Sequence, residues 1–148
     1  MCLETLKPIA EIIKGKKCGY KVFRISEEKY LWPQIMQKTE ENPYPRNKWI
    51  KDEMTGETEG NYGLDRYETG FHVFMKKQDA LEWKEHYTDV SHWPGWPSQG
   101  EGILSLNRVE FRRPVAAGYL SFSPGFLKPR RYCPVVVVKE MKILKKED

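Results

Sequence analysis

Apolar and polar residues in this chain alternate more often than they recur at helical spacing, and the alternation predicts mostly strands. GYKVFRI, residues 19–25, is rich in aromatic and β-branched residues, follows the pattern of a strand opened by Gly, and is the first strand expected. FHVFM (71–75) is a short strand in which Phe71, Val73 and Met75 point one way and His72 and Phe74 the other. GILSLNRVEFRR (102–113) predicts a long strand, with Ile103, Val109 and Phe111 on one face and Leu104 and Leu106 on the other. GYLSF (118–122) predicts another. RYCPVVVVKEMKIL (131–144) contains four consecutive Val, the mark of a strand buried on both faces.

Helical spacing is clearest in KQDALEWKEHY (77–87). Ala80, Trp83 and Tyr87 form one apolar stripe, and Asp79 in the first turn complements the helix dipole. Other stretches are less regular. SEEKYLWPQIMQ (26–37) starts like a helix at Ser26, Glu28 and Lys29, but Pro33 would break it. ENPYPRN (41–47) and HWPGWPSQGEG (92–102) are loops by composition. NKWIKDEMTGETEGNYGLDRY (47–67) reads as an irregular hairpin around Thr55-Gly56, anchored by Trp49, Ile50, Tyr62, Leu64 and Tyr67. Five to seven strands with one or two helices define an α+β fold with a mixed or mostly antiparallel sheet. No Gly-x-Gly-x-x-Gly or P-loop pattern occurs.

With 148 residues, the chain is expected to form a single domain over 1–148. A chain of this size buries roughly 68–70% of its unfolded surface, so it needs neither disulfides nor a metal to hold a core. No run of about 18 apolar residues is present, so no membrane-spanning helix is expected. The first residues lack the order of a signal peptide, which makes the cytoplasm the default location. Cys2, Cys18 and Cys133 are odd in number and lack Cys-x-x-Cys spacing, against a disulfide framework or a cysteine zinc site. Cys133 beside the Val run reads as a small buried hydrophobe, and Cys2 as a terminal residue without a role.

The net charge of +4 is unevenly spread. Residues 40–68 are rich in acids, whereas 108–131 carry Arg108, Arg112, Arg113, Lys128, Arg130 and Arg131 against the single acid Glu110. The pairs Arg112-Arg113 and Arg130-Arg131 each adjoin a Pro and lie near Tyr119, Phe122, Phe126 and Tyr132. Guanidinium groups suit bidentate contact with phosphate or carboxylate, so these pairs are candidates for an anion or acidic partner. Trp93 and Trp96, in two Trp-Pro pairs flanking a Gly, are either a core plug or an aromatic platform for a base, a sugar or a partner chain. His72 either bonds a backbone carbonyl or serves a ligand. The spacing of His72, His86 and His92 gives no recognised metal motif, and no metal is expected.

Met1-Cys2-Leu3, GYKVF at 19–23, GFHVF at 70–74 before a helix, and RVEFRRPVAAGYLSF before a Val-rich strand together resemble small proteins of bacteriophages and prophages. That resemblance implies a phage-type binding protein that occupies a host protein, a nucleic acid or a small nucleotide, with inhibition of a host defence system as one such role. A second resemblance is to the ADP-ribosyltransferase-like fold, carried by Gly70, Phe71, His72, Ala80 and Trp83. It implies Arg24 and His72 orienting NAD or another nucleotide, with Glu140 stabilising charge at the ribose. Val73 and Phe74 stand where that family places a hydroxyl residue. A structural phage protein without ligand, whose aromatics are all core, is the third reading.

Overall fold

Two long antiparallel strands organise the molecule. β8 (Ile103–Phe122) and β9 (Arg131–Lys146) pair from Asn107 opposite Lys146 to Phe122 opposite Arg131. The computed structural model describes residues 3–26, 29–32, 44–53, 55–59, 66–90, 103–123 and 127–147. The strands expected at 102–113 and 118–122 are one strand. Arg113 adopts a left-handed backbone (φ 57°) and the register shifts between Pro114 and Ala116, so the chain bends without leaving the sheet.

The other strands assemble on this ribbon. β2 (Cys18–Ser26) pairs with the first half of β8, and β7 (Phe71–Phe74) pairs with β9. β2 and β7 meet at Tyr20 opposite Phe74, so β8, β2, β7 and β9 form a closed circuit of pairings. β1 (Thr5–Leu6) joins β8, β3 (Lys29–Trp32) joins β2 and β4 (Trp49–Lys51) joins β9, completing a seven-stranded antiparallel sheet. β5 (Glu57–Glu59) and β6 (Arg66–Glu68) form a separate pair. The helices are α1 (Ile9–Ile13) and α2 (Lys77–Val90). The fold is α+β, as the alternation predicted.

Two local expectations are corrected. The helix start at 26–29 gives way to β3, which folds back on β2 with Ser26 opposite Lys29. Tyr, Leu and Trp at 30–32 suit a strand, and tertiary pairing overrides the capping residues. The hairpin around Thr55-Gly56 does not form either, because β4 pairs with β9 and β5 with β6. Gly56 (φ 112°) instead turns the chain between the two sheets, and its carbonyl accepts from the Thr69 amide. Trp49 is half-buried, and Ile50 and Tyr67 are buried; Tyr62 and Leu64 lie outside the described residues. The helix α1 had no periodic signal; it is one short turn ended by Lys14 and Gly15 at positive φ.

The Val run is buried on both faces. Val136 and Val138 join Phe23, Val73, Val109 and Phe111 in one core, which Tyr44 closes by edge-on contacts with Phe23 and Phe71. Val135 and Val137 join Val22, Phe74 and Leu106 in the other, which α2 covers through Ala80 and Trp83. Cys133 lies buried in this second core, as expected of a small hydrophobe. Gly70 permits close packing of strands, since a Cβ there would stand 2.6 Å from the Val138 carbonyl oxygen.

Trp83 is the large buried side chain that α2 sets against the sheet, packing 5.8 Å from the Phe74 ring with 2% of its surface exposed. Trp83→Ala should therefore cost about 3–5 kcal/mol of unfolding free energy in urea titrations. A loss below about 1 kcal/mol would mean that α2 is not held by this contact.

Candidate functional site

His72 belongs to a hydrogen-bond chain. β6 presents the Tyr67 hydroxyl to the Leu3 amide (3.0 Å) and to His72 Nε2 (2.9 Å). The amide can only donate, so the hydroxyl accepts from it. The ring's hydrogen bond to the Gly70 backbone favours its protonated form, so the ring donates there; with Nε2 on Tyr67 the proton lies on Nδ1, and Nε2 accepts from the hydroxyl. Burial first, and then the Lys21 charge, push the His72 pKa down to about 3. The ring is neutral at physiological pH and ties the segment at Leu3 to β6 and β7.

Lys21, on β2, is 3% exposed and gives its ammonium to the His72 carbonyl at 2.7 Å. β2 and β7 share only the Tyr20–Phe74 pair, so this amine takes the place of the strand amide that would otherwise satisfy the carbonyl. Burial, partly offset by the Asp52 charge, lowers its pKa to about 7. A cavity of about 370 Å³ lies near Asp52, walled by Glu53, Glu68, Lys51 and Lys139 among others. Its charges are mixed, and the Lys139 ammonium is bonded to the Thr69 carbonyl (2.9 Å).

The two Arg pairs occupy different places. Arg130 donates to Ser121 Oγ (2.6 Å) and pairs with Glu4 (3.2 Å), fastening the first residues to β8. Arg131 holds the buried Asp79 of α2 through Nε (2.8 Å) and Nη2 (2.7 Å), and reaches Glu82 at 3.0 Å. Arg112 and Arg113 stand nine residues away along β9, opposite Glu140, or about 30 Å of strand. Arg112 grips both Glu140 oxygens, at 3.3 and 3.2 Å, and Arg113 approaches at 3.9 Å. The Arg112 bond, with the charges of Arg112, Arg113 and Lys51, holds the Glu140 carboxyl below its ordinary range.

Arg24, His72 and Glu140 are spread over the sheet. Val137 faces His72 and Glu140 lies three residues further along β9, about 10 Å of strand. Arg24 pairs with Leu104, eight residues along β8 from the Arg112 that faces Glu140. Trp93 and Trp96 lie outside the described residues. Among the described residues, no group of His, Cys, Asp and Glu is placed to hold a metal ion. No described helix is long and apolar enough to cross a membrane.

A surface of different make-up continues the α2-side face beyond the helix. Leu106 on β8 is covered, whereas Arg108 and Arg112, on the same side of the strand, are exposed. Arg108 stands directly opposite Lys145, and Glu110 opposite Lys142. At the β4 edge, Trp49 faces Lys142 across the strands; the Arg112 guanidinium lies 3.9 Å and the Lys142 ammonium 4.7 Å from its ring centroid. Alternation made Arg108, Glu110 and Arg112 readable as one face. The partnership with Lys142, Lys145 and Trp49 depends on register, which sequence does not give. No family model matches the chain, and no curated protein or solved structure matches it.

Two expectations follow from the locked groups. The folded pKa of His72 lies below the ordinary 6.5, so the unfolded chain takes up the proton first. Its contribution to stability is complete above pH 6.5 and is lost as pH falls towards 3, by up to about 1.4 kcal/mol per pH unit. Urea unfolding of the wild type and His72→Asn at neutral and mildly acidic pH checks this: the wild type should lose more stability on acidification. Arg131→Ala leaves the Asp79 carboxylate buried and unpaired, and should cost about 3–5 kcal/mol in the same assay.

Proposed function

We propose that this is a binding protein that captures an anionic partner on the open part of the sheet formed by β4, β9 and β8. The carrying observation is Arg108 opposite Lys145. Both side chains are exposed, they repel across the ladder, and neither has a carboxylate partner among the described residues. Like charges directly opposite weaken strand pairing, so this arrangement opposes stability while favouring contact with an anion.

The surrounding charges reinforce the excess. Arg112, Arg113 and Lys51 share one carboxylate, Glu140, and Lys142 has Glu110 only at 3.9 Å. A patch in which cations outnumber acids on a rigid sheet raises the local concentration of anions and speeds their encounter. Arg130 and Arg131 do not belong to this surface, since their guanidinium groups are spent on Ser121, Glu4, Asp79 and Glu82.

Chromatography on heparin, a sulfated polyanion, tests the assignment. Arg108→Ser with Lys145→Ser should elute at clearly lower salt than the wild type. Lys7→Ser with Lys76→Ser removes two exposed cations elsewhere and should shift elution little. Equal shifts in the two double variants would mean that net charge, rather than this face, governs binding.

A further inference from the structure

Building on the basic-face reading, we propose that the anion is the phosphate backbone of a single-stranded nucleic acid, and that Glu140 is an internal counter-ion whose place on Arg112 a phosphate takes. Arg112 presents Nε and Nη2 to the two Glu140 oxygens, a fork that fits phosphate as well as carboxylate. The guanidinium side of the pair is open to solvent: the Arg112 and Arg113 side chains are 50% and 57% exposed, while Glu140 keeps 16%. The Trp49 ring under the Arg112 guanidinium supports it from a group other than Glu140. Arg112 thus keeps one of its contacts when the carboxylate leaves.

The make-up of the surface favours a single strand. Duplex DNA is read by a helix or narrow ribbon entering a groove, whereas sheets carrying aromatic side chains among cations receive unpaired strands. Here the cationic rows of β8 and β9 run between two half-buried aromatics, Trp49 on β4 and Tyr20 on β2, which is paired with Arg108. Sequence-tolerant binding follows, because charge excess carries the contact rather than a hydrogen-bond code.

Glu140→Gln is the discriminating variant. It removes the competing charge and keeps the side-chain shape, and the circular dichroism melt should be close to that of the wild type. Fluorescence anisotropy with a labelled mixed-sequence single strand, titrated across salt concentrations, gives the readout. Glu140→Gln should bind several-fold tighter than wild type, with a log–log salt slope steeper by about 0.7 for each phosphate gained. Glu85→Gln, an exposed carboxylate on α2, should leave affinity unchanged. Adding Arg112→Gln to Glu140→Gln should abolish the gain.

Equal affinities for Glu140→Gln and Glu85→Gln would overturn the counter-ion role. Tighter binding of the duplex of the same sequence would overturn the single-strand assignment. Poly-glutamate competing as well as the oligonucleotide at equal charge would replace nucleic acid by an acidic protein partner, with the basic face intact. Absence of binding to oligonucleotide, poly-glutamate and heparin alike would defeat the basic-face reading itself.

Discussion

The antiparallel pairing of β8 with β9 is the constraint from which the rest of the molecule hangs. β1, β2 and β9 all pair with β8, while β4 and β7 pair with β9. A ribbon this long would twist away from a flat sheet. It is bent at Arg113 and the adjoining register shift, where the left-handed residue turns the strand while hydrogen bonding continues on either side. The bend also brings two Arg to one carboxylate, because Arg112 and Arg113 both reach Glu140. The same local geometry therefore shapes the sheet and concentrates charge.

Burial on both faces limits where function can sit. The Val run has no solvent-facing side, and one face is closed by Tyr44, Ile50 and Ile12 while α2 closes part of the other. Among the described residues, what stays open is the continuation of the α2 face beyond Leu106. The charged residues at Arg108, Arg112, Lys142 and Lys145 would be costly to bury beneath an apolar helix face. The boundary between covered and open sheet is thus a boundary between side-chain types on the same two strands.

Much of the fold was legible because strand burial imposes alternation. Phe71, Val73 and Met75 enter one core and Phe74 the other, as the two-residue period requires. Val109 and Leu106 separate in the same way, and the helix stripe Ala80–Trp83 packs as expected. Pairing partners were not legible. β4 resembles half of a local hairpin, yet its partner lies near the end of the chain, and nothing in WIK specifies Lys142, Met141 and Glu140 as its neighbours. The bend at Arg113 was equally silent, since Arg is an uncommon choice for a left-handed residue.

The Arg pairs show most plainly why sequence proximity misleads about a site. Successive residues of a strand point to opposite sides, so two adjacent Arg seldom act together unless the backbone deviates. Arg130, just ahead of β9, turns to Glu4 and Ser121, whereas Arg131, the first residue of β9, turns to Asp79 and Glu82. Arg112 and Arg113 converge because the left-handed turn between strand segments breaks the alternation. A guanidinium held against a buried carboxylate such as Asp79 is committed to the fold, since leaving would strand that charge. One held against a partly covered carboxylate such as Glu140, 16% exposed against 3% for Asp79, and supported by the Trp49 ring, changes partners at lower cost. The cations of this chain thus differ in how firmly they are held, according to the burial of their partners.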